Sequence, residues 1–108
     1  MNQYFAYIWK FTVRQEHIEE FKKIYGPEGD WVQLFSQADG FVATDLHQDN
    51  TDRGRFITVD VWKSKVDRNR FQMQFSKEFE ALDKYCEQLT EDEKLLGEFN
   101  SHIGRFAK

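Results

Sequence analysis

The sequence predicts an α+β fold in which a four-stranded antiparallel sheet carries helices on one face. Residues 4–13 alternate like a strand, two later strand-like segments flank a polar turn, and stripes of apolar residues at helical spacing separate and follow these strands. At 108 residues the chain is too short for two hydrophobic cores. We therefore expect a single domain over residues 1–108.

The first predicted element is a strand with two largely apolar faces. One face is bulky and consists of Phe5, Tyr7, Trp9, Phe11 and Val13. The other face carries Tyr4, Ala6, Ile8, Lys10 and Thr12. Because a strand that is apolar on both faces is covered on both sides, we expect it to be central in the sheet.

Two helices are predicted to follow the first strand. From Gln15 onwards, Ile18, Phe21 and Tyr25 recur at helical spacing, and Gly26-Pro27 ends this helix. A second, short helix follows, with Asp30 as its N-cap. Its apolar stripe is formed by Trp31, Leu34, Phe35 and Ala38.

Two strands and the polar turn between them predict an antiparallel hairpin. The strands are Phe41–Gln48 and Arg55–Trp62, and the turn is Asp49–Gly54. The second strand separates two sets of side chains, with Ile57, Val59 and Val61 on one face and Phe56, Thr58, Asp60 and Trp62 on the other.

The longest predicted helix runs from Lys65 to about Leu89. Ser64 and Asp67 resemble a capping box at its start. Its stripe consists of Phe71, Phe75, Phe79, Leu82, Cys86 and Leu89. A polar turn over residues 90–93, a short strand Leu95–Asn100 and an irregular tail follow. The resulting order, β-α-α-β-β-α-β, is typical of the ferredoxin-like plan.

Composition and charge disfavour several classes of protein. With 15 basic and 19 acidic residues the net charge is −4, which disfavours nucleic acid as a partner. No apolar run approaches the roughly 20 residues of a membrane span, and no secretory signal is apparent. The lone Cys86 fits a reducing compartment, so we expect a cytoplasmic protein.

The second face of such a sheet is left without helices. Apolar residues of the first and third strands fall on it, including Ile8, Ile57 and Val59. An apolar face of this size needs a cover. We expect a second copy of the chain, and hence a homodimer.

Three segments of the chain resemble the antibiotic biosynthesis monooxygenase family. They are Tyr25–Phe35, Asp60–Ser64 and Leu95–Phe99, and the resemblance extends over nearly the whole chain in matching order. It implies a dimeric α+β barrel. It also implies an oxygenase that oxidises quinols or phenols without metal or flavin, so no cofactor and no metal are expected.

Some members of that family degrade haem, and the resemblance can be followed position by position. Their arrangement has an Asn on the first strand, and a Trp and a His on the last helix. The matching positions here are Trp9, Gln74 and Lys84. Haem degradation is therefore not expected.

The 18 aromatic residues suggest a cavity for a small aromatic molecule between sheet and helices. We name six residues as candidates for substrate binding: Tyr7, Trp9, Trp31, Phe35, Trp62 and Phe75. Ordinary core packing explains the same positions. Trp31, which follows a glycine-containing turn, is interpreted either as a lid or as a helix-start residue packed on the sheet.

His47 and Asp60 are the candidate catalytic residues. Asp45, His47 and Asp49 alternate along one strand, and a carboxylate–histidine pair can act as a general base. A solvated strand edge explains the same pattern. Asp60 lies inside the third strand, where a charge needs a partner or a functional reason.

Three functions follow from these patterns. The first is a cofactor-independent monooxygenase acting on a small hydroxylated aromatic or quinol. The second is a non-catalytic dimeric module that binds a small apolar ligand. The third, an RNA-recognition module, shares the strand order, but Arg55–Trp62 contains no glycine and the net charge is acidic. We therefore disfavour it.

Overall fold

The computed structural model describes residues 3–104, and its elements follow the predicted order. Four strands and four helices, with a 3-10 turn before the first helix and another after the last, occupy most of this range. They are β1 (Gln3–Val13), α1 (Ile18–Tyr25), α2 (Asp30–Phe35), β2 (Phe41–Gln48), β3 (Arg55–Trp62), α3 (Lys65–Gln74), α4 (Ser76–Cys86) and β4 (Thr90–His102).

The strands form one antiparallel sheet in the order β2-β3-β1-β4. This confirms the α+β, ferredoxin-like architecture and the central position of β1. No helix within residues 3–104 is long and apolar enough to cross a membrane.

The register of the sheet determines which side chains face the helices. Tyr7 pairs with Asp60, Trp9 with Thr58, and Phe11 with Phe56. Opposite partners in a ladder point to the same face. This face therefore carries the bulky residues of β1 and the set of β3 that includes Asp60, as the alternation predicted.

The core between the sheet and the helices is built mainly from aromatic rings. Phe21 of α1 stacks on Tyr25 at 4.0 Å between ring centroids and lies 5.2 Å from Phe11 of β1. Phe71 of α3 lies 5.2 Å from both Phe35 and Trp62. Such ring pairs contribute about 0.5–1.5 kcal/mol beyond the area they bury.

The prediction of a single helix from Lys65 to about Leu89 was wrong, because the structure divides this segment into two helices at Phe75. Phe75 has φ −115° and ψ 31°, outside the helical range, although its N–H still bonds the carbonyl of Phe71 at 2.9 Å. The bend lets each half of the stripe reach a different part of the core. Phe71 packs on Trp62, whereas Phe79 lies 5.2 Å from Trp31.

The last strand is much longer than the predicted Leu95–Asn100. Residues 90–93, predicted as a turn, already pair with β1, and Ser101 and His102 extend the strand at its other end. Pairing along β1 needs backbone groups only, so an exposed edge strand tolerates the polar residues that suggested a turn. The predicted irregular tail is a strand at its beginning, and residues 105–108 lie outside the described part of the chain.

Ser64 caps α3 as predicted. Its Oγ accepts the backbone N–H of Asp67 at 3.1 Å and donates to Asp67 Oδ2 at 2.8 Å. We expect Ser64→Ala to lower the free energy of unfolding by about 1 kcal/mol, measured by urea denaturation. Ser76→Ala is the matched control, because Ser76 is the first residue of α4 and is exposed. Equal stability of the two variants would contradict a capping role for Ser64.

Candidate functional site

A cavity of about 170 Å³ lies between the sheet and the helices. All four strands and all four helices contribute to its wall. The lining side chains are Trp9, Phe11, Tyr25, Trp31, Phe35, Thr44, Thr58, Asp60, Trp62, Arg68, Phe79, Asp83 and Glu93. Apolar cavities of about 150 Å³ hold a benzene ring. The volume therefore suits an aromatic molecule of one or two rings.

Four of the six predicted substrate-binding residues meet at this cavity: Trp9, Trp31, Phe35 and Trp62. Tyr7 and Phe75 are not among the lining residues. Tyr7 is buried beneath the guanidinium of Arg68, which lies 4.3 Å from the ring centroid. Phe75 stacks on Phe71 at 5.5 Å between ring centroids and is only partly buried against the core.

Asp60 is the carboxylate that the sheet brings into the aromatic part of the cavity. Thr44 of β2 stands opposite Asp60 in the register, and its Oγ1 donates a hydrogen bond to Asp60 Oδ1 at 2.9 Å. Burial raises the pKa of Asp60 to about 6 from an ordinary 3.8, and the Thr44 hydrogen bond and the charge of Arg68 offset only part of this effect. A carboxylate with this pKa is ionised at neutral pH and still basic enough to accept a proton.

Arg68 supplies a positive charge at the same end of the cavity. It lies on α3, its side chain lines the cavity, and its guanidinium rests on the ring of Tyr7. Cation–π contact restricts where the guanidinium can move. Sequence reasoning missed Arg68, although its position three residues before the buried Phe71 places it on the core side of α3.

A second set of polar residues lies toward the end of the cavity that is away from Asp60 and Arg68. Glu93 pairs with Phe11 in the register, four residues along β1 from Tyr7, the partner of Asp60. This offset corresponds to about 13 Å along the strand. Tyr25 lies 5.1 Å from Phe11 between ring centroids and so belongs to this end. Sequence reasoning missed these residues, because Glu93 was assigned to a turn and Tyr25 only to a helical stripe.

The carboxyls at the second end ionise with difficulty. Burial raises the pKa of Glu93, and the neighbouring carboxylate of Asp83 raises it further. Burial likewise raises the pKa of Asp83, with a contribution from Glu87. Burial also raises the pKa of the Tyr25 hydroxyl, which stays protonated at neutral pH.

His47 is not brought to the cavity. It pairs with Ile57 on the face of the sheet opposite Asp60, and it is exposed. Asp45 pairs with Val59 on that same opposite face. Asp49 instead closes the turn, where its Oδ1 accepts the backbone N–H of Thr51 at 2.7 Å.

Groups of three or more His, Cys, Asp or Glu side chains suited to a metal ion do not occur within residues 3–104. Cys86 is a buried free thiol in the same range, and burial raises its pKa. The side chains that line the cavity present aromatic rings, carboxyls, hydroxyls and one guanidinium.

Comparison with known families identifies the relatives of this chain. The family model described as antibiotic biosynthesis monooxygenase matches residues 5–72, which covers β1 to α3 and includes Asp60, Trp62 and Arg68. The chain belongs to this family. No curated protein sequence is significantly similar to it.

Solved structures share the fold of this family member at low sequence identity. A mutant form of SnoaB, a cofactor-independent oxygenase from Streptomyces nogalater, has a TM-score of 0.78 and 17% identity, covering 95% of this chain and 96% of that one. PA3566 of Pseudomonas aeruginosa has a TM-score of 0.68 and 20% identity, with 95% and 98% covered. A conserved protein of Methanosarcina mazei has a TM-score of 0.69 and 12% identity, with 91% and 92% covered.

Proposed function

We propose that the protein is a cofactor-independent monooxygenase that oxidises a small hydroxylated aromatic molecule or quinol in this cavity. The observation that carries the proposal is Asp60, a carboxylate with a pKa of about 6 that faces an aromatic cavity beside Arg68. Membership of the family supports the reaction class. The similarity of fold to SnoaB, described as a cofactor-independent oxygenase, agrees with it.

Asp60 is the proposed general base. Its Oδ1 accepts the hydrogen bond of Thr44, so Oδ2 is the oxygen proposed to accept the phenolic proton of the substrate. Closed-shell molecules react slowly with triplet oxygen, whereas a phenolate is electron-rich enough to donate an electron to it. The guanidinium of Arg68 lowers the energy of the phenolate formed beside it.

The reaction balances without an external reductant. The phenolate transfers an electron to oxygen, and the resulting pair combines to form a C–O bond at a ring carbon that bears hydrogen. The O–O bond then breaks, one oxygen stays on the ring as a carbonyl, and the other leaves as water. For a naphthol the sum is naphthol plus O₂ giving naphthoquinone plus water. The enclosing rings exclude solvent from the intermediates.

Oxygen uptake tests this proposal directly. We expect uptake with 1-naphthol or 1,5-dihydroxynaphthalene in buffer containing a metal chelator, with formation of the corresponding naphthoquinone. With ¹⁸O₂, one labelled atom is expected in the quinone and one in water. Tight binding of naphthalene without uptake from any naphthol or quinol would contradict catalysis and support the non-catalytic binding module.

The two candidate bases are distinguished by His47→Gln. We expect this variant to keep oxygen uptake within about twofold of the parent protein, because His47 lies on the sheet face away from the cavity. The measurement is kcat/KM with 1,5-dihydroxynaphthalene. Loss of uptake in His47→Gln would contradict the assignment of the base to Asp60.

We also propose that the protein is a homodimer that uses the sheet face opposite the helices. Phe99 of the edge strand β4 is exposed, and Ile8 and Val59 of the open face are only half-buried. Phe99 pairs with Ala6 and so faces the same side of the sheet as Ile8. Apolar groups of this kind are typical of an interface.

Light scattering at micromolar concentration tests the dimer. The chain has a mass of 13.0 kDa, so the expected particle has twice that mass. We expect Phe99→Glu to shift the protein toward the monomer, whereas Met73→Glu, on the exposed side of α3, leaves the mass unchanged. A monomeric parent protein would contradict the proposal.

A further inference from the structure

Four polar side chains form a row across the sheet at the Asp60 end of the cavity. In the register, Tyr7 of β1 lies opposite Asp60 of β3 on one side and opposite Glu98 of β4 on the other. Thr44 of β2 lies opposite Asp60 and completes the row. Because opposite partners in a ladder point to the same face, all four side chains point to the helix side of the sheet.

Two cations of α3 lie over this row and have different partners. Lys65 Nζ lies 3.0 Å from Glu98 Oε1. Arg68, one helical turn further along, lies on the ring of Tyr7, with its guanidinium carbon 4.3 Å from the ring centroid. Within residues 3–104, no carboxylate oxygen lies within 4.0 Å of a side-chain nitrogen of Arg68.

Asp60 therefore forms no ion pair within this part of the chain, although a guanidinium is near it. The charge of Arg68 is close enough to lower the pKa of Asp60, but it offsets only part of the effect of burial. Direct pairing with an arginine lowers the pKa of a carboxyl by about 1–3 units. Such a pair would return Asp60 toward the range of an ordinary carboxyl and would also occupy the guanidinium donors.

Other charged groups do not explain why Arg68 lies on a ring and not on a carboxylate. Glu98, on the far side of Tyr7, is already neutralised by Lys65. The remaining carboxyls of the cavity wall, Asp83 and Glu93, lie toward its other end. The group that the guanidinium contacts is the ring of Tyr7, and a cation held over an aromatic ring gains about 0.5–2 kcal/mol.

We propose that Tyr7 is a positioning residue: its ring holds the guanidinium of Arg68 beside Asp60 but short of an ion pair, so that the carboxylate remains a base and the guanidinium remains available to the substrate oxyanion. The catalytic part of this inference rests on the proposed function. The effect of the ring on Asp60 does not depend on any reaction, so it can be measured in the protein without substrate.

Two substitutions of Tyr7 separate the ring from the rest of the side chain. Tyr7→Leu removes the ring, and Arg68 is then free to pair with Asp60. We expect the pKa of the Asp60 carboxyl, followed by carbon-13 NMR, to fall by about 1–2 units in this variant. Tyr7→Phe keeps the ring, is the matched control and should retain the parent pKa. An unchanged pKa in Tyr7→Leu overturns the inference.

The Arg68→Gln background shows whether the ring acts through the guanidinium. Tyr7→Leu has no guanidinium to release in this background, so we expect it to leave the pKa of Asp60 unchanged. A fall of the same size with and without Arg68 would mean that the ring acts on the carboxyl directly. That result would also overturn the inference.

Arg68→Gln alone provides a test that leaves the core intact, since Tyr7 is buried whereas Arg68 is only partly so. We expect the pKa of Asp60 to rise by less than about one unit, because a guanidinium held away from the carboxylate acts only as a nearby charge. A rise of about two units or more would show that the two side chains form an ion pair in the parent protein, against the inference.

The pH dependence of oxygen uptake then tests the catalytic role. With 1,5-dihydroxynaphthalene, we expect the midpoint of the rise in kcat/KM to move from about 6 to below about 5 in Tyr7→Leu and to stay near 6 in Tyr7→Phe. A midpoint that does not move although the pKa of Asp60 falls would contradict the positioning role. A protein that shows the expected pKa changes by NMR but oxidises no phenol contradicts only the proposed function.

Discussion

Asp60→Asn is expected to lower kcat/KM for naphthol oxidation by about 10²–10⁴-fold, the usual contribution of a general base. The amide has nearly the same shape as the carboxylate, and its oxygen can still accept the hydrogen bond that Thr44 donates. It cannot accept the phenolic proton. The loss should therefore appear in the rate of oxygen uptake, while the affinity for naphthalene stays within a few-fold of the parent value.

The pH dependence of kcat/KM in the parent protein also tests whether Asp60 is the general base. Since Asp60 acts as a base only when ionised, kcat/KM should rise with pH through about 6 and then level off. The residual activity of Asp60→Asn should lack this rise. Asp39→Asn, an exposed position in the turn before β2, is the control and should retain the parent profile. An unchanged rate in Asp60→Asn would mean that another group removes the proton.

The hydrophobic pattern was sufficient to predict the framework of the site. Alternation in β1 and β3 correctly divided Trp9 and Asp60 from Ile8 and Val59, because a two-residue period assigns every side chain of a strand to one face. The same period placed His47 with Asp45. Whether His47 and Asp45 face the helices or the open side depends on the register of β2 against β3, which the sequence alone does not give.

The polar residues at the two ends of the cavity could not be predicted from any local pattern in the sequence. Glu93 reaches the cavity only because β4 begins pairing with β1 at Thr90, a contact between distant parts of the chain. Arg68 becomes part of the site through the ring of Tyr7, which lies on another element. Long-range pairing and ring contacts of this kind follow from tertiary packing and not from spacing along one segment.

Ionisation of the buried Asp60 carboxyl lowers the free energy of unfolding, and we expect this effect to be large enough to measure. The pKa of Asp60 is raised in the folded protein, so between pH 3.8 and about 6 the folded state binds a proton that the unfolded state has released. The free energy of unfolding therefore falls as pH rises through this interval, and it no longer changes from this source above it. A shift of about two pKa units corresponds to at most ~3 kcal/mol.

Asp60→Asn removes this cost, and we expect the variant to be more stable than the parent protein by about 1–3 kcal/mol at pH 7.5. The gain in the free energy of unfolding should lie nearer the lower limit of this range, because Asp60 keeps some accessible surface on its cavity side. At about pH 3.5 the carboxyl is largely protonated in both the folded and the unfolded state, so the two proteins should be nearly equally stable. Urea denaturation at the two pH values measures the difference. A stability gain independent of pH would mean that the amide improves packing, whereas a loss at pH 7.5 would show that the ionised carboxylate is stabilised by Thr44 and Arg68 more than burial destabilises it.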